Sequence, residues 1–152
     1  MIRVQEEPFD PGQELQALKS GNHSIGGSCM FVGTVRDLSN GADVDAMTLE
    51  HYPGMTEKAL AEIEAAANER WPLEASLIIH RYGRMEAGED IVLVITCSRH
   101  RQAAFESAHF LMDWLKTKAP FWKLEEGESG GGWVDARESD DEAAARWAEP
   151  AS

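Results

Sequence analysis

Ile91-Val92-Leu93-Val94-Ile95-Thr96-Cys97-Ser98-Arg99-His100-Arg101 is the stretch on which the fold turns. Ile91 to Cys97, mostly apolar and β-branched, reads as a largely buried strand. Ser98 is placed to cap a long helix after it, in which Ala104, Phe105, Ala108, Leu111, Met112 and Leu115 form one apolar face. Pro120 stops that helix, because the residue before a proline is pushed out of the helical region. Upstream, Ala75 to Tyr82 reads as a second buried strand, and Glu86-Ala87-Gly88-Glu89-Asp90 as the turn joining the two.

Working outward, Thr56 is expected to cap another amphipathic helix, with Glu57 in its first turn and Leu60, Ile63, Ala67 and Trp71 along one face. Pro72 closes it. Pro11 to Ser20 carries Leu15 and Leu18 at helical spacing, and Gly21-Asn22 ends it. Ile2 to Gln5 reads as an edge strand. Ser28 to Val35 is β-rich, and Asn40-Gly41 in the polar loop after it is a hairpin signal, with Ala46 to Tyr52 as the returning strand. Phe121 to Leu124 and Trp133 to Ala136 form two short strands around Gly130-Gly131-Gly132. Two long helices among about six strands, partly in hairpins, predict an α+β fold. Residues 1–137 read as one domain, and the acidic 138–152 as a surface helix or tail.

The 152 residues are 43% hydrophobic and 27% charged, which fits a soluble globular chain and excludes wholesale disorder. No apolar run approaches the roughly 18 residues of a membrane span. The first residues turn acidic at once without the apolar core of a secretory signal, so the expected location is cytoplasmic. A net charge of −13 argues against non-specific binding to nucleic acid or anionic membrane. Cys29 and Cys97 each sit in an apolar segment without a CxxC pair, so they read as reduced core thiols, with no disulfide framework and no zinc site.

Positive charge is concentrated. Five of the fourteen Lys and Arg fall between Arg99 and Lys123 against two acids, Glu106 and Asp113; the other nine face 25 acids. Lys116 and Lys118 lie in the last turn of a helix, where cations offset its dipole. That does not explain Arg99-His100-Arg101 at the other end, where cations oppose the dipole unless an anion is bound. A helix N-terminus with an imidazole and guanidiniums makes a subsite for phosphate or carboxylate. Lys116 and Lys123 straddle Pro120, with Phe121 and Trp122 as an apolar wall; burial against aromatics lowers a lysine's pKa and fits it for acid, base or nucleophile work. Arg36 follows the Val32-Gly33-Thr34-Val35 strand end, where Gly33 allows close approach of backbone or ligand. His80 and His109 lie in regular elements and read as structural. Cys97 ends an apolar strand, which disfavours it as a nucleophile with His100 as base.

The chain has no P-loop, no G-x-G-x-x-G after a strand, no H-E-x-x-H and no G-x-S-x-G. Instead, Leu49-Glu50-His51-Tyr52-Pro53-Gly54-Met55-Thr56-Glu57-Lys58, Phe31-Val32-Gly33-Thr34-Val35-Arg36, Ile79-His80-Arg81-Tyr82-Gly83, Ser98-Arg99-His100-Arg101, Met112 to Lys123 and Trp133-Val134-Asp135-Ala136-Arg137 stand in colinear order. In these motifs, from about residue 2 to 147, the chain resembles the large, catalytic subunit of molybdopterin synthase, the MoaE-type family.

The resemblance implies an α/β-hammerhead with an additional antiparallel subdomain. It implies a sulfurtransferase that inserts two sulfurs into cyclic pyranopterin monophosphate (precursor Z), making the dithiolene of molybdopterin for molybdenum cofactor biosynthesis. The sulfur arrives as a thiocarboxylate on the C-terminal Gly-Gly of a small ubiquitin-like carrier subunit, and two catalytic subunits with two carriers form the assembly. No metal or redox cofactor is needed, because molybdenum enters later. Carried over by position, Thr34, Val35, Arg36, His100 and Arg101 bind substrate, and Lys116 and Lys123 are catalytic. Thr34 stands where the family often has lysine, and Leu124 where it has a basic residue.

Bringing an anionic thiocarboxylate to a cyclic phosphate calls for a cationic pocket in an acidic protein. Arg101 and Lys116 lie fifteen residues apart on one helix, roughly 22 Å at 1.5 Å per residue. If both serve one site, they come from different subunits, so a homodimer with shared active sites is expected. The rival readings are a non-catalytic anion-binding module and a scaffold subunit using the same basic cluster.

Overall fold

The computed structural model describes residues 1–36, 38–39, 42–43, 46–126, 132–134 and 147. In chain order the elements are β1 (Ile2–Gln5), α1 (Pro11–Lys19), β2 (Gly27–Thr34), β3 (Leu38–Ser39), β4 (Ala42–Asp43), β5 (Ala46–His51), α2 (Met55–Arg70), β6 (Leu73–Arg81), β7 (Gly83–Glu86), β8 (Asp90–Ser98), α3 (Arg101–Lys118), β9 (Phe121–Glu126) and β10 (Gly132–Val134).

One sheet has the order β1-β6-β8-β2, with β1 parallel to β6 and the other pairs antiparallel. Its centre is β8, whose β-branched residues favour a pleated strand and whose alternation serves two cores. Val92 and Val94 face α2 and α3, packing with Leu60, Ile63, Ala67, Phe110, Leu111 and Leu115. Leu93, Ile95 and Cys97 face the other way, with Leu77 and Ile79 of β6 and, from α1, Leu15 and Leu18. A second, antiparallel sheet runs β10-β9-β5-β7 and has its own small core of Val35, Met47, Leu49 and Met85. Helices beside one mixed and one antiparallel sheet make the fold α+β, as expected.

Several local expectations are corrected. The strand β5 does not return beside β2; it pairs with β7 and β9 in the second sheet. The hairpin ribbon is the short β3–β4 pair, Ser39 opposite Ala42; Asn40-Gly41 itself lies outside the described residues. Between the two buried strands the chain is no simple turn, because β7 crosses into the second sheet through Gly83 at φ 92°. Thr56 is not a cap. Gly54, at φ 84°, is the cap two residues earlier, and the Glu57 carboxylate accepts its N–H at 2.5 Å. Thr56 is thereby turned inward, its hydroxyl donating to the Tyr52 carbonyl at 2.8 Å. Ser98 is likewise the buried end of β8, donating to the Pro72 carbonyl, so α3 begins later with His100 at its N-cap. Phe105 lies off the buried stripe of α3 and is 62% exposed, while Phe110 fills the core. Cys97 is buried and Cys29 only half so; both are free thiols. The acidic 138–152 stretch lies outside the described residues except Trp147, which packs against the α2–α3 core.

Leu111 is fully buried where α3 meets the sheet. Leu111→Ala is expected to cost about 2–5 kcal/mol, read as a lowered midpoint in urea unfolding with an unchanged slope.

Candidate functional site

His100 and Arg101 stand where β8 turns into α3. The corner is clamped against the start of β2: Gly26 N–H donates to the Ser98 carbonyl at 2.9 Å. A Cβ on Gly26 would lie 2.0 Å from the Arg99 carbonyl oxygen, so only glycine fits beneath the corner. His100 caps α3 without a side-chain hydrogen bond, and no acidic residue occupies the first turn. Both residues are exposed, beside backbone N–H groups that the helix cannot satisfy itself.

From there α3 runs back across the sheet, and its last turn carries Lys116 to the opposite end. Leu115 and Ala119 pack in the cluster that includes Ile91 and Val92, at the start of β8. Ile91 also touches the cluster of Val35, as does Phe121. Lys123 holds the register position opposite Leu49 in β9, and Leu49 shares that core with Val35. Thr34, Val35, Arg36, Lys116 and the strand of Lys123 therefore gather at one end of the molecule. His100 and Arg101 do not join them: the length of β8 intervenes, eight steps or roughly 27 Å at 3.4 Å per residue.

The two acids of the basic stretch are directed elsewhere. Glu106 accepts from Gln102 at 3.0 Å and from the Trp71 indole at 2.9 Å, and these bonds hold its carboxyl below the ordinary range. Asp113 accepts from the Trp147 indole and lies 3.5 Å from His109. Lys118 sits over the Trp114 ring at 5.1 Å. Among the described residues no ion pair engages Arg36, His100, Arg101 or Lys116. Three exposed cations and the His100 imidazole are thus left open to an anion.

Lys116 is exposed; of the two aromatics expected beside it, the side chain of Trp122 lies outside the described residues. Phe121 is drawn inward by two histidines, stacking on His80 at 3.8 Å and lying 5.9 Å from His51. His80 is buried with Nδ1 donating to the Arg81 carbonyl at 2.9 Å, which is the structural role expected of it. His109 is an exposed helix residue paired with Asp113, its ring against Trp147. Gly33 serves packing: a Cβ there would meet Val92 Cγ1 at 2.4 Å. Among the described residues no three His, Cys, Asp or Glu side chains form a metal-binding group, and no helix is long and apolar enough to cross a membrane.

Sequence reasoning gave no role to Arg81 or Glu89. The guanidinium of Arg81 is 7% exposed; Nε donates to the Glu6 carbonyl at 3.0 Å, and Nη1 to the Asp90 carbonyl at 3.0 Å and Glu89 Oε1 at 3.3 Å. The signal was a charged residue closing an otherwise buried strand. Glu89 Oε2 also takes the Glu86 N–H at 2.7 Å; that bond first, and then Arg81, hold the Glu89 carboxyl below the ordinary carboxylate range. A depressed carboxyl contributes stability above its unfolded value and loses it as pH falls through the folded one. The stability gap between wild type and Glu89→Gln is therefore expected to close as the solution is acidified through that range. Paired urea titrations from neutral pH downward check it, and a constant gap would contradict it.

Comparison with known proteins follows the same lines. The MoaE protein family model matches residues 4–118. A molybdopterin synthase catalytic subunit from Pseudomonas aeruginosa is 57% identical over 148 residues, covering 97% of this chain and 99% of its own. A solved molybdopterin biosynthesis MoaE protein from Burkholderia ambifaria superposes with a TM-score of 0.84 at 52% identity, covering 98% of both chains. A solved molybdopterin synthase from Staphylococcus aureus does so at 0.80 and 30% identity, over 87% of this chain and 95% of the other. With its sequence matched nearly end to end and its fold shared, the chain belongs to the MoaE family.

Proposed function

We propose that this chain is the catalytic subunit of a molybdopterin synthase. It moves sulfur from the thiocarboxylated terminus of a small ubiquitin-like carrier onto cyclic pyranopterin monophosphate, twice, to build the dithiolene. The observation that carries the reading is that Arg101 and Lys116, at the two ends of α3, are exposed and not ion-paired among the described residues, in a chain of net charge −13. Such a set favours two anions that must meet. On this reading His100 and Arg101 at the N-terminus of α3 hold the phosphate or the pterin, while Thr34, Val35 and Arg36 line the substrate and Arg36 neutralises charge. Lys116 acts at the reacting centre, as acid and base or by transient attack on the carrier's terminal carbonyl. Lys123 stabilises the oxyanion that develops there. Free Cys29 and Cys97 are in keeping with work in the reducing cytoplasm. Residues 1–137 would carry the activity, and truncation from Glu138 would impair it only in part.

The distance between the two cation groups supports a homodimer in which His100 and Arg101 of one subunit complete the site of Lys116 and Lys123 of the other. The outer edge of β2, unpaired among the described residues, and the exposed Phe31 and Phe105 offer a surface for that contact.

Incubating the purified chain with thiocarboxylated carrier and precursor Z is expected to yield dithiolene product; its absence rejects the reading. Lys116→Ala should lower turnover at least about a hundredfold while precursor binding persists, which a mere anion-binding module would not show. Mixing Arg101→Ala with Lys116→Ala subunits should restore part of the activity, because one site of each mixed dimer is then intact. Sites confined to one chain would give no recovery.

A further inference from the structure

Resting on the synthase reading, we infer that Arg81 and Glu89 are positioning residues for Arg36, locking the β7–β8 turn that grips Thr34-Val35-Arg36 from both sides. The β2–β8 ladder slips in register between Gly33 and Thr34: Gly33 lies opposite Val92 and Thr34 opposite Asp90, so Ile91 is passed over. A bulge re-aims the side chains that follow it and leaves them dependent on other contacts. The turn supplies those contacts. Val35 N–H donates to the Glu89 carbonyl at 2.9 Å, the Val35 carbonyl accepts from Gly88 N–H at 2.8 Å, and the Thr34 hydroxyl donates to Asp90 Oδ1 at 2.9 Å.

Glu89 and Asp90 are themselves held by Arg81. Its guanidinium touches the Glu89 carboxylate, the Asp90 carbonyl and the Glu6 carbonyl at once, a planar fork that a lysine ammonium cannot reproduce. A buried cation is poor evidence of stabilisation alone. Here its acceptors include the two turn residues that bond to Val35 and Thr34. Arg36 is the next residue along, exposed and free of ion pairs among the described residues. Fixing the backbone on both sides of Val35 sets where that guanidinium can reach, and a binding group displaced by about 1 Å loses much of its effect.

The experiment is a double-mutant cycle in the full chain with its thiocarboxylated carrier. Glu89→Gln and Arg81→Lys are made singly and each combined with Arg36→Ala. Each single change is expected to raise KM for the precursor about tenfold with kcat little altered. In the Arg36→Ala background the same change should add almost nothing. Losses that multiply in that background overturn the inference, because a purely structural role does not depend on Arg36. Glu89→Gln leaves both Arg81-to-carbonyl bonds in place, so it carries the test should Arg81→Lys not fold. A wild-type chain that forms no product removes the synthase reading and this inference together; turnover with multiplying losses removes the inference alone.

Discussion

Burial of β8 on both faces is the constraint from which the remaining architecture follows. A strand whose alternate residues, Val92 and Val94 against Leu93 and Ile95, all leave water needs a cover on each side. One cover is α1. The other must include the helix that leaves the end of β8, because Ala108, Leu111 and Leu115 pack in the same core as Val92 and Val94. Returning antiparallel across the sheet, α3 necessarily carries its two termini to opposite ends. Separation of the two cation groups is thus a product of packing, and any chemistry that uses both must find a second copy of the chain or a substrate large enough to span them.

Charge is sorted within that frame. An excess of acids would ordinarily neutralise the few exposed cations. Glu106 and Asp113 are the acids nearest in sequence to the positive groups of α3, and both are occupied by indole N–H groups, of Trp71 and Trp147. These indole donors satisfy carboxylate oxygens that would otherwise seek a cation. The positive groups therefore face solvent inside a field that is negative overall, which concentrates attraction at two places and repels polyanions elsewhere.

Long periodic elements were legible in the sequence because their patterns are set by burial alone: β6, β8, the bodies of α2 and α3, and the stop at Pro120. What was not legible depended on tertiary geometry. Thr56 and Ser98 looked like caps, yet each hydroxyl is claimed by a carbonyl, of Tyr52 and Pro72, so the helices begin elsewhere. β7 carries one buried residue, Met85, too little for a period to show. The cations between Arg99 and Lys123 were read from local charge density, which needs no fold. Arg81 escaped notice because its acceptors come from Glu6, Glu89 and Asp90, which only folding brings together.

The docking of Trp147 has an optical consequence. Its indole lies 5.8 Å from that of Trp71, nearly perpendicular at 81°, with Phe110 beside both and the Arg70 guanidinium over all three rings. Two chromophores held that close and at a fixed angle couple their transitions, giving the aromatic circular dichroism a signature tied to that one contact. Docking of Trp147 can thus be followed by light alone, without a label, while the Lys116 end of α3 is titrated with ligand.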